Sequence, residues 1–354
     1  MPTSEQSEGM RGRRRGLRAL ISLVVVVGVF AGVLPRAADL SEVWAAVGAM
    51  TGTEIATLGV LTVWNLVSYW LVQLSALPGL GLWRAGMASQ SATALANTLP
   101  AGAAVGLGVN YAMYASWGFA RPAITRSLLL SGLWNNFVKV GMPLVALALL
   151  ALQGDASVAL LVTALVGVGL LVVALGTFGL MLRSERLARR VGTVLATLVS
   201  RLRRLVSRGP VCGWADAAAR FRADTVGLLR DRWAALTLTT LVSHLTLYAL
   251  LLLALRHVGV SDDEVGWAEV LGAFAFVRLI SALPITPGGL GVVELGLVAA
   301  LVVAGGEREP VVAGVLVYRV LTYLLPIPIG LVTYLAWTRR SSARPPGAAT
   351  VSST

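Results

Sequence analysis

The chain has 354 residues, 56% hydrophobic and 13% charged, with a mean hydropathy of +0.79. Apolar runs of about 20 residues recur along it, as bilayer-crossing helices require, which excludes a water-soluble globular fold. A net charge of +12 would suggest nucleic acid in a soluble protein, but the positive-inside bias is the simpler source here, and the single cysteine, Cys212, excludes a disulfide framework.

In chain order, residues 1–16 form a basic N-terminus with Arg11, Arg13, Arg14 and Arg15. The apolar run 17–34 follows at once and reads as a signal-anchor helix whose N-terminus stays in the cytoplasm. A second span is expected at about 55–77, closed by Pro78-Gly79. Met87–Ser116 is apolar but interrupted at Asn97-Thr98-Leu99-Pro100-Ala101-Gly102, leaving flanks too short to cross comfortably. That predicts a broken or re-entrant hairpin. Full spans are expected at about 127–152 and 157–181. Residues 183–232 hold twelve arginines with Leu and Val at helical spacing, and predict amphipathic helices on an anionic leaflet. A span at about 233–255, a second interrupted hairpin at about 266–305 and a last span at about 311–337 complete the membrane domain, 17–337. The Ser/Ala/Pro tail, 338–354, reads as disordered. The fold expected is all-α and polytopic, with about six full spans plus two broken hairpins.

Charge placement fixes the expected orientation. With the N-terminus inside, 23 basic residues fall on cytoplasmic segments and three outside, whereas six acidic residues fall inside and ten outside. Both termini then lie in the cytoplasm, and the membrane is the cytoplasmic (inner) one.

The two hairpins correspond. Leu99-Pro100 followed by Gly106-Leu107-Gly108 matches Leu283-Pro284 followed by Gly289-Leu290-Gly291. Pro143 follows Pro100 by 43 residues, and Pro326 follows Pro284 by 42. The charge count gives the units opposite orientation, so they read as an inverted repeat, the pattern of alternating-access transporters.

Ionisable residues at membrane depth are expensive unless they pair or face a cavity. Arg278, Glu294 and Arg319 stand in or beside the second unit, around a break rich in glycine (Gly288, Gly289, Gly291). Two arginines against one carboxylate leave a positive site, and a helix beginning after the glycines adds its dipole. The chemistry suits a phosphate, with Glu294 holding an arginine or taking up a proton. The competing reading is an ion pair that only locks helices together. In the first unit Asn97, Asn136 and Lys139 are the polar candidates, Asn136 opposite Arg319 under the repeat and Lys139 a turn further on. His244 reads as a packing residue. No Walker loop, metal-ligand cluster, nucleophile elbow or dinucleotide fingerprint is present, so neither an enzyme, a cofactor nor a metal is expected.

Pro287-Gly288-Gly289-Leu290-Gly291-Val292-Val293-Glu294, then Tyr318-Arg319 and the prolines from Pro326, resemble the C-terminal signature of the lysylphosphatidylglycerol synthetase transmembrane-region family. Asn97-Thr98-Leu99-Pro100 resembles its N-terminal signature. The resemblance covers about residues 20–337 and implies a flippase-type membrane domain that translocates a lipid with its headgroup. It implies a stand-alone member, without the synthetase domain. Where many members carry an acidic residue and an arginine after the first motif, this chain has Ala101-Gly102-Ala103-Ala104-Val105-Gly106.

The function expected is translocation of a phosphate-bearing lipid, anionic or polyprenyl-phosphate, with Arg278 and Arg319 contacting phosphate. The alternatives are a secondary transporter of a small anion, or a scaffold that recruits envelope-synthesis enzymes through 183–232.

Overall fold

The computed structural model describes residues 48–99, 101–153, 158–204, 212–281 and 286–342, together with Ala45 and Gly209. The expected first span, the Pro100 and Pro284 positions and residues 343–354 of the C-terminal tail lie outside them; residues 338–342, expected to be disordered, continue the last helix, Pro326–Ser342.

The described chain is helical throughout: α1 (Gly52–Ala76), α2 (Leu82–Thr98), α3 (Gly102–Ser116), α4 (Arg121–Gln153), α5 (Val158–Arg183), α6 (Glu185–Arg204), α7 (Trp214–His257), α8 (Trp267–Ile280), α9 (Val292–Val303), α10 (Arg308–Arg319) and α11 (Pro326–Ser342). Five helical stretches are long and apolar enough to cross a membrane: Gly52–Ala76, Arg121–Leu152, Val166–Arg183, Trp214–His257 and Arg308–Arg340. They coincide with five of the six expected spans. The protein is an all-α, multi-pass membrane protein.

The helix ends follow from local chemistry. At the start of α1 the Thr51 hydroxyl accepts from the Glu54 N–H (3.3 Å) while Glu54 Oε2 accepts from the Thr51 N–H (2.7 Å), a reciprocal cap. Helix α2 stops at Thr98 because Leu99 precedes a proline and is forced out of the helical region, to φ −108°, ψ 143°. Ala101 then turns the chain left-handed at φ 54° and α3 begins. Helices α2 and α3, of 17 and 15 residues, are roughly 25 and 22 Å long, and α8 and α9, of 14 and 12 residues, roughly 21 and 18 Å. All fall short of the roughly 30 Å hydrocarbon core. Helix α2 packs on α3, and α8 on α9. Both interrupted segments are therefore hairpins of short helices.

The chain divides into two compact units. The first comprises the chain up to Leu71, Leu80–Phe119 and the chain from Val242 onward. Here α2 lies between α3 and α11, and small residues permit the approach: a Cβ on Gly106 would lie 2.8 Å from the Ala92 carbonyl oxygen, and one on Gly330 2.0 Å from that of Gln90. The second unit comprises Val72–Gly79 and Ala120–Leu241. Its core joins Val72, Ala76, Leu130, Leu228 and Leu236. The Trp134 indole N–H donates to Thr237 Oγ1 at 2.9 Å.

The arginine-rich segment forms α6 and the first turns of α7. Arg189 ties these together, donating to Glu185 at 2.9 Å and to Asp216 at 2.5 Å. Its second amphipathic stretch runs without a break into the following span, so α7 is 44 residues long. No glycine or proline interrupts 228–257, which leaves the helix nothing to stop it.

Candidate functional site

The turn of the second hairpin, Pro287–Gly289, has Gly288 at φ 57° and Gly289 at φ 71°, and Gly291 follows at φ 80°. A side chain is strained in that region. The turn packs against α2 and α3 of the first hairpin. A Cβ on Gly288 would meet the Tyr323 ring at 2.4 Å and Asn97 Oδ1 at 2.9 Å. The two hairpins thus meet tip to tip in the first unit, through a glycine that has no room for a side chain.

Glu294 lies in the first turn of α9, where its Oε2 accepts from the Gly291 N–H at 2.7 Å. Its other oxygen, Oε1, accepts from Arg319 Nε at 2.6 Å, and both residues are buried, at 9% and 7% exposure. Arg319 Nη2 donates to the Gly288 carbonyl at 3.4 Å. The guanidinium carbon stands 4.4 Å above the Tyr323 ring, a cation–π contact. Tyr323 is 1% exposed and in turn holds the first hairpin: its hydroxyl donates to the Asn97 carbonyl at 2.7 Å, and Asn97 Nδ2 donates to the Tyr323 carbonyl at 3.1 Å.

Why Tyr323 sits here follows from the prolines. Pro326 has no N–H to offer the Thr322 carbonyl, and its ring would strike it in a regular helix. The chain widens into a π turn, Val320–Leu324, with the Leu325 N–H donating to the Val320 carbonyl at 2.8 Å. Such bulges commonly mark functional sites. This one places Tyr323 under Arg319, one turn on.

Arg278 stands two residues from the end of α8, and its Nε has no hydrogen-bond partner among the described residues. It forms no ion pair among them either. The Glu294 carboxylate pairs with Arg319 among the described residues. Of the five N–H donors that Arg319 carries, Nε and one on Nη2 are engaged among the described residues. Surplus cationic donors beside glycine backbone are suited to a phosphate or carboxylate.

Of the residues marked in the sequence, Asn97, Gly288, Gly289, Gly291, Glu294 and Arg319 come together on the hairpin tips and α9–α10. Asn136 and Lys139 lie on α4, which belongs to the second unit. His244 is buried in α7. Tyr323 was missed, although its place four residues after Arg319, on one helix face, was a usable signal. Among the described residues there is no group of three His, Cys, Asp or Glu side chains that could hold a metal ion.

A family model described as the lysylphosphatidylglycerol synthase TM region matches residues 19–330. No curated protein matches the chain.

Proposed function

The chain belongs to the lysylphosphatidylglycerol synthase TM region family, and on that basis we propose that it moves a phosphate-bearing lipid between the leaflets of the cytoplasmic membrane without chemical change to it. The headgroup is held where the hairpin tips meet, and the acyl or polyprenyl tails stay in the bilayer. Arg319 and Arg278 supply the phosphate contacts, Glu294 orients Arg319, and the left-handed glycines let backbone approach the headgroup closely. Both termini face the cytoplasm.

One observation carries this reading: the buried Arg319 is held by a single carboxylate, Glu294, and keeps N–H donors to spare among the described residues, while Arg278, two residues before the end of α8, forms no ion pair among them. An ion pair serving only to lock helices would need no second arginine. A guanidinium at membrane depth without a partner is costly, and an anionic headgroup removes that cost.

The test is a leaflet-exchange assay in proteoliposomes with fluorescent anionic, aminoacylated and polyprenyl-phosphate lipids. Exchange of one class by the wild type, reduced at least about tenfold in Arg278→Gln and Arg319→Gln while the protein remains folded, is the expected result. Uptake of a soluble anion without lipid exchange would point to a small-anion transporter. No transport of any kind by folded protein would refute translocation and turn attention to partners of residues 183–232.

A further inference from the structure

A second site lies at the opposite end of the first hairpin from its tip. The beginning of α2, the end of α3 and the end of α11 surround a cavity of about 300 Å³ lined by Trp83, Arg84, Ser116, Trp117, Trp337 and Arg340, among others. Its walls are ordered by contacts of their own. The Trp337 indole N–H donates to Ser116 Oγ at 3.0 Å, and Ser116 Oγ donates to the Met113 carbonyl at 2.7 Å. The Arg84 guanidinium stands over Trp117 at 5.7 Å, and Trp117 leans on the buried Tyr114. Trp83 is 70% exposed beside them.

The charges are unbalanced. Two arginines line the cavity, no acidic residue does, and neither Arg84 nor Arg340 forms an ion pair among the described residues. Three indoles around two guanidiniums describe a place half apolar and half cationic, which is the character of the headgroup layer of a bilayer, where tryptophan and arginine both concentrate. On the loop charges this is the cytoplasmic face, the one facing anionic lipid.

We propose that this cavity binds the phosphate headgroup of an anionic phospholipid from the cytoplasmic leaflet, with Arg84 and Arg340 on the phosphate and the indoles of Trp83, Trp117 and Trp337 against the glycerol and upper acyl carbons. A lipid fits better than free phosphate because the indole walls would gain nothing from an ion that carries no apolar part. The site is separate from the Glu294–Arg319 group and stands whether or not a lipid then crosses the membrane.

The experiment is native mass spectrometry of the full chain released from nanodiscs of mixed phosphatidylglycerol and phosphatidylcholine. The wild type is expected to retain a phosphatidylglycerol adduct that Arg84→Gln/Arg340→Gln loses by about tenfold, the loss of charge-assisted contacts. Arg319→Gln should retain it, which separates this site from the translocation site. Arg84→Lys/Arg340→Lys should retain it within about threefold, and Arg340→Gln alone, a change on an exposed helix end, should weaken it without affecting folding. Unchanged retention of phosphatidylglycerol by the folded double glutamine variant would overturn the proposal. So would equal loss of phosphatidylcholine, which would make the cavity a general apolar groove. Displacement of the adduct by millimolar inorganic phosphate would show a free-anion site instead.

Discussion

Asn97 and Tyr323, 226 residues apart, exchange two hydrogen bonds: the tyrosine hydroxyl donates to the asparagine carbonyl at 2.7 Å, and the asparagine amide donates to the tyrosine carbonyl at 3.1 Å. Asn97 lies in the last turn of α2 and Tyr323 in the π turn, so the two bonds tie the tip of the first hairpin to the bulge that follows α10.

Tyr323→Phe removes one of these bonds and leaves the Asn97 carbonyl buried. The expected cost is about 1–3 kcal/mol, seen as a lower thermal midpoint in detergent. The ring still lies under Arg319, so lipid exchange should persist. Tyr323→Leu removes the ring as well and should reduce exchange further than its stability loss explains. Equal exchange in both variants would show that the ring face does not support Arg319.

Gly288 and Gly291 separate backbone strain from steric contact. Both have positive φ, but a Cβ on Gly291 meets open space while one on Gly288 meets Tyr323 at 2.4 Å and Asn97 Oδ1 at 2.9 Å. Gly291→Ala should cost about 1–3 kcal/mol from strain alone. Gly288→Ala should cost distinctly more and part the hairpin tips, which a lower unfolding midpoint than that of Gly291→Ala would report.

Much of this was legible in the sequence because membrane folding leaves coarse marks. The spans at 55–77, 127–152, 157–181, 233–255 and 311–337 are apolar runs, and the hairpins announce themselves by Pro and Gly within such runs. Arg278, Glu294 and Arg319 stand out because charge at that depth is rare. What was not legible depends on which atoms meet. Glu294 could have paired with either arginine, and only the fold selects Arg319. Tyr323 carries no charge and lies among other apolar residues, so its part required the π turn to be seen. The continuity of α7 was hidden because an arginine-rich amphipathic helix and an apolar span have opposite surface chemistry yet the same backbone. The gathering of Trp83, Trp117 and Trp337 around two arginines is a tertiary fact that none of them reveals alone.

The Glu294–Arg319 pair should show strong non-additivity. Glu294→Gln leaves a buried guanidinium without its counter-ion, and Arg319→Gln a buried carboxylate, each at about 3–5 kcal/mol. The double variant buries two neutral amides and should cost less than the sum of the singles. A double-mutant cycle on unfolding free energy measures this coupling. Additive singles would mean that the pair is solvated from a cavity, since water would then replace the missing partner.

Gly330 tests whether the approach of α2 to α11 is required for the tip-to-tip arrangement. A methyl group there would lie 2.0 Å from the Gln90 carbonyl oxygen and 2.5 Å from the Ala94 Cβ, and backbone cannot yield as a flexible side chain can. Gly330→Ala must therefore push α2 away. Because Asn97 lies in the last turn of α2, the displacement should reach the Asn97–Tyr323 bonds and reduce lipid exchange from a position that touches neither arginine. Gly59→Ala, with nothing within 4 Å of the added carbon, should change stability by about 1 kcal/mol or less and leave exchange intact. The two variants are compared by unfolding midpoint and exchange rate in the same lipid. A Gly330→Ala protein with wild-type values in both would mean that α2 and α11 can separate without disturbing the tip, and the site would then rest on the α9–α10 elements alone.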